Sequence, residues 1–424
     1  MSNNNKTPAI RFKGFTDTWE QRELGECMKT VTDYVAAGSF ADIADHVQYK
    51  NTPDYAQLIR TVDLKHEFRN NDYIYVDKKA FDYLWRVNLN EECIILPNIG
   101  ANIGEVYYIE PLSLPYEFNV LGPNAILLKT KDSTKFMFTL LQADDFQNKL
   151  YVSIASSGQP KFNKTELKSI KLLLPKPDEQ EKIGQYLAHI DNLITLLQRK
   201  CDKLIQFKAA MLQKMFPQNG ADKPEIRFKG FTDAWEQRKL GEVASNFEYG
   251  LNASAKEFDG KNKYIRITDI DDESRMFLSD DITSPDTDLT LADKFKLEAG
   301  DILFARTGAS VGKTYLYREK DGLVYYAGFL IRAKINSEND AEFVFQNTLT
   351  DSYNSFIRIT SQRSGQPGVN AQEYQGYNFY VPNLEEQKAI GTYFRNLDNL
   401  ITLHQRKCDK YKSIKAGLIR KLFP

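Results

Sequence analysis

The phrase GASVGKT at Gly308–Thr314 is the stretch of this chain that most invites nucleotide chemistry. Glycine-freed backbone N–H groups followed by a lysine can cradle a phosphate. The spacing argues against it here. Only three residues separate Gly308 from Gly312, where the nucleotide loop needs four, and the matching place in the first half, GANIGEV at Gly100–Val106, has no lysine. What remains for these glycines is a tight turn between strands that can bring backbone N–H groups close to a ligand phosphate. Asn98 and Asn102 accompany the first turn, Arg306 and Lys313 the second. A second matched phrase is SGQPKFN at Ser157–Asn163 and SGQPGVN at Ser364–Asn370. Gly and Pro around a glutamine make an exposed, stiff loop, and Gln159, Asn163, Gln366 and Asn370 could read base edges through paired hydrogen bonds. A plain surface turn accounts for the phrase equally well. Lys161 and Lys164 add positive charge nearby. Arg60 and Arg266 sit at matching places in LIRTVDL (Leu58–Leu64) and YIRITDI (Tyr264–Ile270). Each could hold a phosphate or a guanine, or close a salt bridge with Asp63 or Asp269.

Other chemistries find little support. The four cysteines, Cys27, Cys93, Cys201 and Cys408, form no CxxC pair, and four scattered histidines do not suggest zinc. There is no Asn/Asp-Pro-Pro-aromatic tetrapeptide of the kind amino-methyltransferases set against a flipped base, and no GxGxxG cofactor loop follows a strand. No catalytic residue, metal or cofactor is therefore expected in this chain. The net charge of -1 argues against a protein that grips nucleic acid by charge alone. Any such binding must be local and shared with partners. The acidic run Asp269, Asp271, Asp272, Glu273, Asp280 and Asp281 should face away from phosphate. With 42% hydrophobic and 27% charged residues over 424 positions, two or three ordinary globular domains are expected. No stretch approaches the roughly 20 apolar residues that cross a bilayer, and MSNNNKTPAI lacks the apolar core of a signal peptide. A reduced, cytoplasmic setting is expected.

The elements that would position these loops come as a duplication. IRFKGFTDTWEQRELGE at Ile10–Glu26 returns as IRFKGFTDAWEQRKLGE at Ile226–Glu242, changed at two positions, and DNLITLLQRKCDK from Asp191 returns from Asp398. Between these copies the halves diverge. Each half ends in a run of apolar residues spaced alternately four and three apart. The first is Ile183, Leu187, Ile190, Ile194, Leu197, Cys201, Leu204, Lys208, Met211 and Met215; the second is Ile390, Phe394, Leu397, Ile401, His404, Cys408, Tyr411, Lys415, Leu418 and Leu422. Five heptads with one seam predict a long helix of roughly 50 Å in a coiled coil. Pro177 suits the first helical position of one, and Asn383 with Glu386 makes a capping box for the other. Leu193, Leu196, Phe207, Leu400, Leu403 and Ile414 widen the stripe, so further helices are expected to pack there. Lys208, Lys415 and His404 are polar members of the seam, better suited to fixing register than to catalysis. Strands are expected at Cys93–Leu96, Val106–Ile109 and Ala125–Leu128, and again at Tyr264–Ile267, Ile302–Phe304 and Thr314–Tyr317. One fold with two sets of surface residues is the economical inference.

In these parts the chain resembles the specificity subunit of Type I restriction–modification systems. The likeness rests on GFTDTWEQRELGE and its copy, the helix openings DEQEKIGQYLAHIDNLI and LEEQKAIGTYFRNLDNLI, the strand-turn FARTGASVGKTYL, and the two SGQP loops. It covers nearly the whole chain, and the order of its parts is its most specific aspect. The resemblance implies an α+β fold: two mixed target-recognition domains joined by two long antiparallel coiled-coil helices with an internal pseudo-two-fold repeat. It implies boundaries at 1–17 (repeat segment), 18–177 (first recognition domain), 178–217 (central helix), 218–233 (linker and second repeat segment), 234–382 (second recognition domain) and 383–424 (distal helix). Each domain would read one half of a split DNA target. The helices would set the spacer and dock two methyltransferase subunits, with motor–nuclease subunits completing the assembly. S-adenosylmethionine, ATP and Mg would be held by those partners. A coil of roughly 50 Å corresponds to a split, asymmetric target of roughly 13–15 bp. Two rival readings are a scaffold that binds proteins and no DNA, and a nucleotide-binding enzyme favoured only by GASVGKT.

Overall fold

The computed structural model describes residues 7–69, 72–155, 160–218, 220–278, 280–362 and 365–423. The described residues fall into two compact units, one from Met1–Leu197 with Lys407–Pro424, the other Gln198–Arg406. The architecture is α+β, and each unit has the same plan.

In the first unit a four-stranded antiparallel sheet runs in the order Met28–Asp33, Ala125–Thr130, Cys93–Pro97, Tyr107–Ile109. Both of its faces are covered. Side chains alternate along a strand, so Ile94, Leu96, Ile126 and Leu128 enter one core while Cys93, Ile95, Ala125 and Leu127 enter another. That is why CIIL and AILL are continuous apolar runs rather than alternating ones. The second core is closed by a three-stranded sheet of Ile74–Val76, Ala56–Ile59 and Asn119–Leu121, in which the last pair is parallel. The first core is closed by the helices Thr134–Leu140 and Asp144–Ala155 and by the opening of the long helix Pro177–Met215.

The second unit repeats this plan with Ala244–Tyr249, Leu330–Ile335, Asp301–Ala305 and Thr314–Leu316 in the same order and sense. Even the bulge in the first strand recurs, between Met28 and Thr30 in one unit and between Ala244 and Asn246 in the other. Its smaller sheet gains an edge strand, Ser254–Glu257, beside Thr283–Asp286, Lys263–Ile265 and Val324–Tyr326. The strand expected to reach Ile267 stops at Ile265, because Arg266 turns the chain into a short 3-10 helix at Ile267–Asp269 whose Asp269 accepts the Arg266 N–H at 2.8 Å.

The helices Pro177–Met215 and Leu384–Leu422 have 39 residues each, about 58 Å at 1.5 Å per residue. Asn383 caps the second, its Oδ1 accepting the Glu386 N–H at 3.0 Å. Within the first unit Lys415 pairs with Asp191 at 2.7 Å and the Cys408 thiol lies 4.0 Å from the Ile194 carbonyl. Within the second, Lys208 pairs with Asp398 at 2.7 Å, and Cys201 lies 4.0 Å from the Ile401 carbonyl. Rising numbers on one helix meet falling numbers on the other in both units, so the segments run antiparallel. Burial of the seam holds them. Ile183, Leu187, Ile190 and Ile194 are buried in the first core, with Leu197, Tyr411 and Leu418 packed against it. Ile390 and Phe394 are buried in the second, with Leu397 against it, while Leu204 and Ile401 are half-buried. At about 1.5–3 kcal/mol per buried aliphatic side chain, these outweigh the partly exposed Lys–Asp pairs, each near 1 kcal/mol or less.

Candidate functional site

In each unit the glycine turn and the loop after the helices meet at one sheet edge. In the first, Asn98 Nδ2 donates to the Phe162 carbonyl at 3.2 Å, and the Phe162 N–H returns a bond to the Asn98 carbonyl at 3.3 Å. Ile99 bridges Lys161. Asn163 caps the helix Lys164–Ser169, its Oδ1 accepting the Thr165 and Glu166 N–H groups at 2.9 Å. Lys164 Nζ sits 2.7 Å from Asp33. Asn102 is half-buried within the turn, its carbonyl accepting the Glu105 N–H at 3.1 Å.

The second unit makes the same latch from backbone alone. The Gly308 N–H donates to the Pro367 carbonyl at 3.0 Å, and the Val369 N–H to the Arg306 carbonyl at 2.9 Å. Gly308 (φ 75°) and Gly312 (φ 84°) occupy the left-handed region, and a Cβ on Gly312 would stand 2.7 Å from Ile357. Asn370 caps Ala371–Gln375 by accepting the Glu373 N–H at 2.9 Å. Gln366 is exposed, its amide lying across Gly308. The Arg306 guanidinium lies 5.0 Å from the Tyr249 ring and 5.9 Å from the Phe329 ring.

The edge therefore gathers Asn98, Asn102, Lys161, Asn163 and Lys164 in one unit, and Arg306, Gln366 and Asn370 in the other. Gln159 lies outside the described residues. Three residues expected as contacts are engaged elsewhere. Arg60 forms a two-pronged pair with Asp63 (2.8 and 3.1 Å), and Arg266 forms the same pair with Asp269 (2.8 and 2.9 Å). Each carboxylate also accepts the arginine's own N–H, so both arginines fasten the start of a helical turn. Lys313 points inward. It is buried, donates to the Ile270 carbonyl at 3.1 Å and pairs with Asp272 at 2.5 Å. The lysine of GASVGKT thus anchors part of the acidic run, in a stretch that is buried continuously from Lys313 to Leu316. Asp271 in that run is likewise occupied, accepting the Ser274 N–H and hydroxyl at 2.7 Å. Among the described residues no group of three or more His, Cys, Asp or Glu could hold a metal ion, and no helix is long and apolar enough to cross a membrane.

One repeated device had escaped sequence reasoning. Arg11 grips the buried Glu179 with both oxygens at 2.7 Å, and Arg227 grips Glu386 at 2.6 and 2.7 Å. Each arginine belongs to a repeated IRFKGF phrase, and each glutamate to the first turn of a long helix. Trp19 and Trp235 are buried just after these arginines, edge-on to Phe423 and Phe216 at the ends of the helices. The Ile10 N–H donates to Lys421 and the Ile226 N–H to Lys214. The two-stranded ribbons Glu20–Glu23 with Lys171–Leu174, and Glu236–Lys239 with Asn378–Val381, complete the strap. Opposite charge recurring in both repeated phrases was the available signal. Outside these straps, Leu196 and Ile414 in the first unit, and Phe207, Leu400 and Leu403 in the second, remain exposed on the helices.

Both units have a counterpart among known proteins. A family model described as the Type I restriction modification DNA specificity domain matches residues 16–206 and again 232–412. The chain belongs to that family. It is 22% identical over 346 residues to the Type I restriction enzyme MjaVIII specificity subunit of Methanocaldococcus jannaschii, covering 79% of each chain. The putative MjaX specificity subunit of the same organism is 24% identical over 423 residues, covering 96% of this chain and 93% of that one. The crystal structure of a Type I restriction–modification S subunit from M. genitalium shares the fold, with a TM-score of 0.64 at 15% identity over 99% of each chain. The specificity subunit is thus built as two family domains in tandem, each ending in a long helix.

Proposed function

We propose that this specificity subunit reads a split, asymmetric DNA sequence, one half with each unit, and that it performs no chemistry itself. The observation that carries this reading is the contrast between halves. Strap, capped helix and sheet order recur, whereas the edge where the glycine turn meets the post-helix loop bears different side chains. A duplicated frame with unlike reading edges suits two unlike half-sites. Asn98, Asn102, Lys161, Asn163 and Lys164 would serve one half, and Arg306, Gln366 and Asn370 the other. The long helices would act as the spacer. With their ends embedded in the units, the 39-residue helices suit a target of about 13–15 bp. The exposed apolar residues that recur on both helices, Leu196 with Leu403 and Ile414 with Phe207, would dock two methyltransferase subunits. Apolar side chains left exposed at matching helical positions favour burial against partner helices. S-adenosylmethionine would then be held by the methyltransferases, and ATP with Mg by the motor–nuclease subunits. The chain's near-neutral charge fits a grip on DNA shared among subunits.

The test is to map methylated bases in a host that expresses this chain with its methyltransferase. The expected result is a two-part motif with unlike halves and an unread middle. A continuous target of six bases or fewer would end the reading. Loss of salt-dependent DNA binding both with and without the methyltransferase would favour a protein-only scaffold.

A further inference from the structure

Six basic residues gather at the two reading edges or lie in the matched phrases near them: Arg60, Lys161, Lys164, Arg266, Arg306 and Lys313. Arg60, Lys164, Arg266 and Lys313 are each paired with a carboxylate at 2.5–2.8 Å, and Lys161 is engaged as well. Arg306 is the exception. No hydrogen bond or ion pair among the described residues takes up its guanidinium, and its Nε is buried without a partner. The group is held by aromatic faces instead, lying 5.0 Å from the centre of Tyr249 and 5.9 Å from that of Phe329. Both rings are themselves exposed. The Tyr249 ring is held in place, since its hydroxyl accepts the Ala371 N–H at 3.3 Å at the start of the Asn370-capped helix. The Arg306 backbone is fixed as well, its carbonyl bonded to Val369 and its N–H to the Phe329 carbonyl at 3.1 Å.

An arginine stacked on aromatic rings keeps its donors in one plane and loses little entropy when it binds. Its fork matches the O6 and N7 acceptors that guanine alone presents side by side in the major groove. A phosphate would also accept the fork, but a phosphate contact weakens all sequences alike when lost, whereas a guanine contact is felt at one base pair only. At the corresponding place the first unit has Asn98, with the Asp33–Lys164 pair standing where Tyr249 and Ala371 stand in the second. The fork is therefore a property of one half only.

We infer that Arg306, pinned by Tyr249 and Phe329, specifies one guanine in the half-site read by the second unit. This rests on the DNA-reading function proposed above. The test selects binding sites from a randomised duplex library with the full chain in complex with its methyltransferase. Wild type, Arg306→Ala and Arg306→Lys are compared, together with wild type on DNA carrying 7-deazaguanine at each guanine of the motif in turn. Arg306→Ala should lose a G·C requirement at a single position of one half, by roughly ten- to hundred-fold, with the other half unchanged. Arg306→Lys, which keeps the charge but not the fork, should lose most of the same preference. A 7-deaza substitution at that one guanine should weaken wild type about ten-fold and Arg306→Ala not at all. If the wild-type complex selects no motif, the DNA-reading function fails. If it selects a two-part motif that both variants reproduce, or if Arg306→Ala weakens all sequences evenly, only the guanine assignment falls. If Arg306→Ala does not fold, Arg306→Lys carries the comparison, and a wild type that 7-deaza substitution weakens at no guanine overturns the assignment without any variant.

Discussion

Arg11 on Glu179 and Arg227 on Glu386 are one contact made twice, with the same two-pronged geometry and the same buried carboxylate. At the end of the first strand of each large sheet the likeness ceases. One unit carries the ion pair of Asp33 and Lys164, the other an arginine lying against the rings of Tyr249 and Phe329. Parts that hold the chain together are duplicated almost atom for atom, and parts that face outward are not. A buried charge pair tolerates little change, since removing one partner strands the other in a low dielectric. An exposed edge is held by backbone hydrogen bonds and capping asparagines, so its remaining side chains are free to differ.

The sharpest way to break this equivalence is to remove the buried rings. Trp19→Ala and Trp235→Ala should each cost about 3–5 kcal/mol, as large aromatic truncations in a packed core do. Denaturant unfolding of the full chain followed by aromatic fluorescence would measure both. Costs differing by more than about 2 kcal/mol would mean that the two straps are alike in sequence but not in role. A somewhat smaller loss, about 3 kcal/mol, is expected for Arg11→Ala and for Arg227→Ala, because each leaves a carboxylate buried and unpaired. Pairing either change with glutamine at the partner, Glu179→Gln or Glu386→Gln, should restore most of it. A double variant as unstable as the single one would show that the arginine acts through packing.

A third test turns on a place where the cores differ. Asp301 in the second unit stands where the first has Cys93, at the start of the matching central strand. Burial pushes the Asp301 carboxyl up to about 6, with the Glu298 N–H and Arg332 only partly offsetting it. Protonation is thus favoured in the folded chain relative to the unfolded one. The folded state binds more protons between about pH 4 and 6, so this group's contribution to stability falls as pH rises through that window and is flat above it. Asp301→Asn should remove that slope and raise stability at pH 8 relative to pH 4, read as a shift in unfolding midpoint against pH. The Cys93 position should add no such slope, its thiol being driven up to about 12 by burial. An unchanged slope in Asp301→Asn would place the titrating group elsewhere.

Much of the frame was legible beforehand because it obeys local rules. The heptad seam gave both helices, and the start signals at Pro177 and Asn383 fall where the helices begin. The apolar runs gave the central strands to within one or two residues at each end. The SGQP and glycine phrases gave loops, and two of their asparagines, Asn163 and Asn370, proved to be helix caps. The candidate contacts were less legible. Arg60 and Arg266 could be described equally as contacts or as salt bridges from sequence, and the latter is what the three-residue spacing to an aspartate produces. Lys313 stood among the basic candidates beside the second turn, yet the fold carries it into the core.

The duplication, the helices and the family were determined by the sequence, because repeat, period and capping act over a few residues and leave their mark in order and type. Tertiary structure alone decided which charges are spent and which are left over. Arg11 finds Glu179 across 168 residues, and Arg306 finds Tyr249 and Phe329 where the ends of three separate strands meet. No local rule brings such groups together. Whether an arginine fastens the fold or faces a ligand depends on which acids and rings the packed sheet happens to place beside it.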